Sequence, residues 1–151
     1  MRVLALSFVL VLAGCAPAPK PAEQARPDAT AEAWYPQTVG ELNALNLEAQ
    51  KLARAGKFDA AAEIVTQAQP LETRLLSVPR PTLEATVAAS DLDDLYGRLL
   101  LRNRHYDWAA SILQKNVIRW KAWKPQTEDT ARRLQAAVAA LAECEHRRAT
   151  P

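Results

Sequence analysis

Leu52-Ala53-Arg54-Ala55-Gly56-Lys57-Phe58-Asp59-Ala60-Ala61-Ala62 lies over Leu100-Leu101-Arg102-Asn103-Arg104-His105-Tyr106-Asp107-Trp108-Ala109-Ala110 when the chain is shifted against itself by 48 residues. Each copy reads as a helix end, a tight turn, an aromatic residue, an aspartate suited to capping, and then small residues. Small side chains let antiparallel helices approach, so Ala61 and Ala109 are expected at a helix contact, with Phe58 and Tyr106 plugging the turns. The stretch points to an all-α fold of antiparallel helical hairpins.

The composition agrees. Thirty alanines and twenty leucines stand against four glycines, a balance that favours helix over glycine-punctuated strands. With 49% hydrophobic and 24% charged residues and a net charge of +2 over 151 residues, the chain is neither disordered overall nor fibrous. About five helices are expected. The first runs from about 39 to 55, where Thr38-Val39-Gly40-Glu41 has the form of a capping box and Leu42, Leu45, Ala49, Leu52 and Ala53 recur at helical spacing. Asp59 is expected to cap the second, which Pro70 kinks or ends. The third begins between Thr82 and Ser90 and reaches about Asn103, and the fourth runs from Asp107 as cap to about Lys124. The fifth, about Glu128 to Arg147, carries Ala131, Leu134, Ala137, Val138 and Leu141 on one stripe and caps the array.

Gly56, Phe58, Ala61 and Ala68 stand where the tetratricopeptide repeat carries its glycine, aromatic, alanine and later alanine, and residues 41 to about 73 resemble that family. In the second copy, residues 89 to about 121, Tyr106 and Ala109 match while Arg104 and Asn116 depart. The resemblance implies that the first helix of each hairpin presents one face to a groove that holds a peptide or partner helix. Those positions are Asn43, Asn46, Gln50 and Arg54, then Asp91, Asp94, Arg98 and Arg102.

Outward from the helices, the first fourteen residues have the charged, apolar and small-residue parts of an export signal: Met1-Arg2, the run Val3 to Leu12, and Ala13-Gly14. The run is too short to span a bilayer. Leu12-Ala13-Gly14-Cys15 resembles the lipobox of bacterial lipoproteins, which implies lipid attachment at Cys15, cleavage before it and a membrane anchor. Ala16, being no aspartate, resembles lipoproteins sorted to the outer membrane and facing the periplasm. Residues 15–30, with four prolines and no large apolar side chain after the cysteine, read as an extended tether, and 31–151 as the helical domain.

Residues 95–124 contain seven Lys or Arg against Asp107 alone. Within them Arg119, Lys121 and Lys124 are candidates for a basic rim facing an anionic polymer or lipid, while export past the cytoplasmic membrane argues against a nucleic-acid partner. A helical wheel places Trp108, Ile112, Leu113, Val117, Trp120 and Trp123 within one half of the circumference, so the tryptophans are expected in the core. Cys144 is expected as a small buried hydrophobe. No metal-ligand spacing, phosphate loop or nucleophile constellation is present in the sequence, so no cofactor is expected and the chain reads as a non-catalytic envelope scaffold with a protein partner. The alternative is an accessory factor that binds the cell wall or anionic lipid through the basic helix.

Overall fold

The computed structural model describes residues 28–150, and among these the architecture is all-helical, built from α1 (Trp34–Arg54), α2 (Phe58–Leu76), α3 (Leu83–Arg102), α4 (Tyr106–Ala122) and α5 (Glu128–Ala149). Short connections fold successive helices back on one another as hairpins. In addition α1 touches α3 and α3 touches α5, whereas the backbones of α2 and α4 stay apart. The odd-numbered helices therefore form an inner layer, and the even-numbered ones splay on the outside. Expected residues 1–27, with Cys15 and most of the tether, lie outside the described residues.

The two turns of the 48-residue offset are the same structure. Lys57 N–H donates to Leu52 O and His105 N–H to Leu100 O, both at 2.9 Å, while Gly56 and Arg104 have φ of +75° and +60°. Ala61 and Ala109 are wholly buried. At the α3–α4 contact Gly97 leaves no room for a side chain, since a Cβ there would lie 2.7 Å from Leu113 Cδ2.

Several boundaries differ from expectation for physical reasons. α1 begins at Trp34, and Thr38 is not its cap; the Thr38 hydroxyl donates to Trp34 O at 2.7 Å inside the helix. Burial of Tyr35, whose hydroxyl accepts from Thr82 N–H at 3.0 Å, extends the helix towards its N-terminus. The fold also starts before 31: Asp28 caps a short 3-10 turn at Ala29–Ala31, and Ala29 packs on the first core. Asp59 and Asp107 sit inside the first turns of α2 and α4, where they complement the helix dipole without capping through their side chains. α2 runs through Pro70 to Leu76. Pro70 is exposed, so the Thr66 carbonyl that loses its helical donor can be hydrated. α3 takes Thr82 as its cap, and α5 takes Thr127 in a reciprocal box with Thr130.

The core is a chain of three clusters. The first joins α1, α2 and α3 around Leu42, Val65, Leu75 and Leu92; the second packs Leu100, Leu113 and Ala140; the third holds Val117, Trp120 and Ala137. Trp120 is buried as expected, and Trp123 packs beside it at a ring distance of 6.5 Å. Trp108 is not in the core: it is 66% exposed. The buried stripe of α4 is Ala109, Leu113, Asn116, Val117 and Trp120, centred about 120° round the helix from Trp108. On α5 the buried stripe is Thr130, Ala137, Ala140 and Cys144, and Val138 faces out at 44% exposure.

Candidate functional site

Where α1 and α3 pass each other in the inner layer, residues one helical turn apart point into the same space. Gln50 and Arg54 project from α1; Asp91, Asp94, Arg98 and Arg102 project from α3 at intervals of three and four. Together with Ala53, Phe58, Leu95 and Leu99 they line an open groove of about 440 Å³. Leu95 and Leu99 are buried and form its apolar floor. Six of the eight residues expected from the repeat register thus meet in one groove. Asn43 is exposed and does not line it. Asn46 is buried and spans the α1–α3 contact instead, its amide donating to Ala88 O at 2.8 Å.

The groove is electrically polarised along α3. Asp91 and Asp94 mark one end; Arg54, Arg98 and Arg102 mark the other, and 11 residues of helix separate Asp91 from Arg102, or about 16 Å. Asp94 and Arg98 pair at 2.8 Å. The Arg102 guanidinium carbon lies 3.6 Å from the centre of the Phe58 ring, a cation–π contact at the groove edge. Asp91 pairs with Arg133 of α5 at 3.2 Å, yet burial keeps its carboxyl above the ordinary range against that attraction. Such a surface can recognise a segment by charge and by apolar contact.

Sequence reasoning missed a second polar centre, built across the gap between α2 and α4. Glu72 and Asp93 are both buried. Arg119 reaches Glu72 at 3.1 Å and Asp93 at 2.7 Å, and Lys115 reaches them at 2.9 and 3.2 Å. Asn116 extends the network, accepting from Arg119 at 3.0 Å and donating to Ser90 O at 3.1 Å, while the Trp120 indole donates to the Ser90 hydroxyl at 2.7 Å. Arg119 is therefore turned inward and is not part of an exposed basic rim; Lys121 and Lys124 are exposed. Charged residues at the inward positions of α2 and α3 were the available signal, but their partners lie 22 to 47 residues away.

Cys144 is fully buried, with its thiol 3.5 Å from Tyr106 O, and burial pushes that thiol above its ordinary value. It is packed as a small hydrophobe. Among the described residues no group of three or more His, Cys, Asp or Glu side chains stands close enough to hold a metal ion. No described helix is long and apolar enough to cross a membrane. Compared with known proteins, the chain matches no family model, no curated sequence and no solved structure.

Proposed function

We propose that this chain is a membrane-anchored periplasmic lipoprotein that serves as a non-catalytic protein–protein interaction scaffold in an envelope assembly. The observation that carries the reading is the groove between α1 and α3, where Gln50, Arg54, Asp91, Asp94, Arg98 and Arg102 surround the apolar floor of Leu95 and Leu99. Amide and guanidinium groups suit peptide carbonyls and carboxylates, and the floor suits apolar side chains of an extended or helical segment. The shared turn geometry of the two hairpins supports a divergent tetratricopeptide-like architecture. The lipobox-like Leu12-Ala13-Gly14-Cys15 supports the anchor, and Ala16 supports outer-membrane sorting. Acyl chains on Cys15 would hold the protein to a bilayer without a spanning helix.

The alternative of a basic helix engaging cell wall or lipid through Arg119, Lys121 and Lys124 is weaker, because Arg119 is held by Glu72 and Asp93. Two measurements test the proposal. Metabolic labelling with a fatty acid should mark the wild type and not Cys15→Ser; an unlabelled wild type removes the anchor. Capture of a partner should be lost in Arg98→Glu/Arg102→Glu and kept in Asn46→Ser; retention after charge reversal removes the groove.

A further inference from the structure

The end of the bundle formed by the α3–α4 turn and the last turns of α5 sets one exposed tryptophan among arginines. Trp108, on the first turn of α4, is 66% exposed and is the wall shared by two concavities. On one side a space of about 370 Å³ is lined by Arg104, His105 and Arg148, with Tyr106 and Asp107. On the other a space of about 310 Å³ is lined mainly by Tyr96, Leu100 and Ile112. A third concavity brings Arg102 and Arg147 to the same end. Of the acids there, Asp107 pairs with Arg148 at 2.9 Å and Glu143 with Arg147 at 2.7 Å. Arg102 and Arg104 have no acidic partner among the described residues and Glu145 beside them has no basic one, so four arginines against three acids leave the end a small positive excess.

This pairing of chemistries selects a partner. Indole, apolar in body with one N–H, is suited to the boundary between hydrocarbon and water. Guanidinium groups bind phosphate oxygens bidentately while their stems lie on apolar surface. An acidic peptide would satisfy the arginines but leave the apolar space behind Trp108 unused. A phospholipid supplies both halves, an anionic headgroup and a hydrocarbon chain. We infer that this end of the bundle docks on an anionic lipid surface, with Trp108 at headgroup level, phosphates against Arg104 and Arg148, and chain segments against Tyr96 and Ile112. The described chain enters at the other end of α1, 21 residues away along the helix, or roughly 30 Å. The contact is thus separate from the entering segment, and it does not depend on what the α1–α3 groove binds.

The test uses the full chain with vesicles of phosphatidylcholine alone or mixed with phosphatidylglycerol, each also made with brominated acyl chains. Any contribution of the apolar residues 3–12 is common to both compositions. Partitioning should favour anionic vesicles roughly ten-fold or more and fall about five-fold for each arginine removed in Arg104→Asn and Arg148→Gln. Asparagine tolerates the φ of +60° at position 104, and both side chains are exposed, so unchanged circular dichroism is the expected control. Bromine quenching of tryptophan fluorescence on anionic vesicles should be lost in Trp108→Phe. Equal partitioning to both vesicle types, or quenching unchanged in Trp108→Phe, overturns the inference. Charge-dependent capture of an acidic peptide without vesicle binding overturns it too.

Discussion

Gly56 and Arg104, 48 residues apart, occupy the same left-handed backbone position at the end of α1 and of α3. Glycine holds that conformation freely, whereas a side chain there costs about 1 kcal/mol. Arg104→Gly is expected to stabilise the protein by about 1 kcal/mol and raise Tm by roughly 4 °C, and Gly56→Ala to destabilise it by a similar amount. Thermal unfolding followed by circular dichroism reads both; shifts of the same sign would contradict the equivalence of the turns.

Arg119 stands between two buried carboxylates, 2.7 Å from Asp93 and 3.1 Å from Glu72. Removing it in Arg119→Met leaves those charges with only the half-exposed Lys115, and a loss of about 3 kcal/mol is expected in urea unfolding. Adding Glu72→Gln should recover a large part of that loss, because one uncompensated charge goes with it. An Arg119→Met protein as stable as the wild type would show that the cluster is not closed by this residue.

Burial first, and Asp93 second, raise the Glu72 carboxyl above its ordinary 4.5, against the pull of Lys115 and Arg119. A raised carboxyl binds its proton more tightly in the fold than in the unfolded chain. Its contribution to stability is therefore full below 4.5 and is lost as pH rises through the raised folded value. Lys115 is pulled down by burial but held above 10.5 overall by Asp93 and Glu72, so its contribution is present below 10.5 and is lost as pH rises through its raised folded value. As pH rises above 4.5 the wild type should lose stability relative to Glu72→Gln. Parallel urea midpoints for the two proteins across that range would contradict this assignment.

Gly97 faces Leu113 so closely that an added Cβ would meet Leu113 Cδ2 at 2.7 Å, and Leu113 is itself buried. A gain in helix propensity cannot offset that overlap for a branched residue. Gly97→Val is expected to cost about 3 kcal/mol, while Gly40→Ala, with nothing within 4 Å, should stabilise by up to about 1 kcal/mol. The ordering of the three melting temperatures checks the close approach of α3 and α4.

Elements whose information is local were legible in the sequence. The helical spacing of Leu42, Leu45 and Ala49, the small residues Ala61 and Ala109, and the repeated turn all follow from short-range periodicity and sterics. The groove was legible to the extent that six polar positions share one face; its floor at Leu95 and Leu99 was not, because it depends on how α1 and α3 pass each other. Asn46 was misplaced because a polar side chain on the polar stripe can also sit at a helix crossing, where Ala88 O accepts from its amide N–H. Trp108 was misplaced because half a helical wheel is wider than the arc that two neighbouring helices cover. The Glu72, Asp93, Lys115 and Arg119 cluster was invisible because its pairing depends on how far α2 and α4 splay, a property of the whole array.

The groove between α1 and α3 is the centre of the functional proposal, and position-specific photocrosslinking in the membrane-anchored chain tests it most directly. A photoreactive residue at Gln50 or Arg98 should give one discrete adduct, absent when the same residue replaces the outward-facing Gln114 and abolished by Arg102→Glu. Adducts at all three positions alike, or an adduct at Arg98 that survives Arg102→Glu, would contradict a partner seated in that groove.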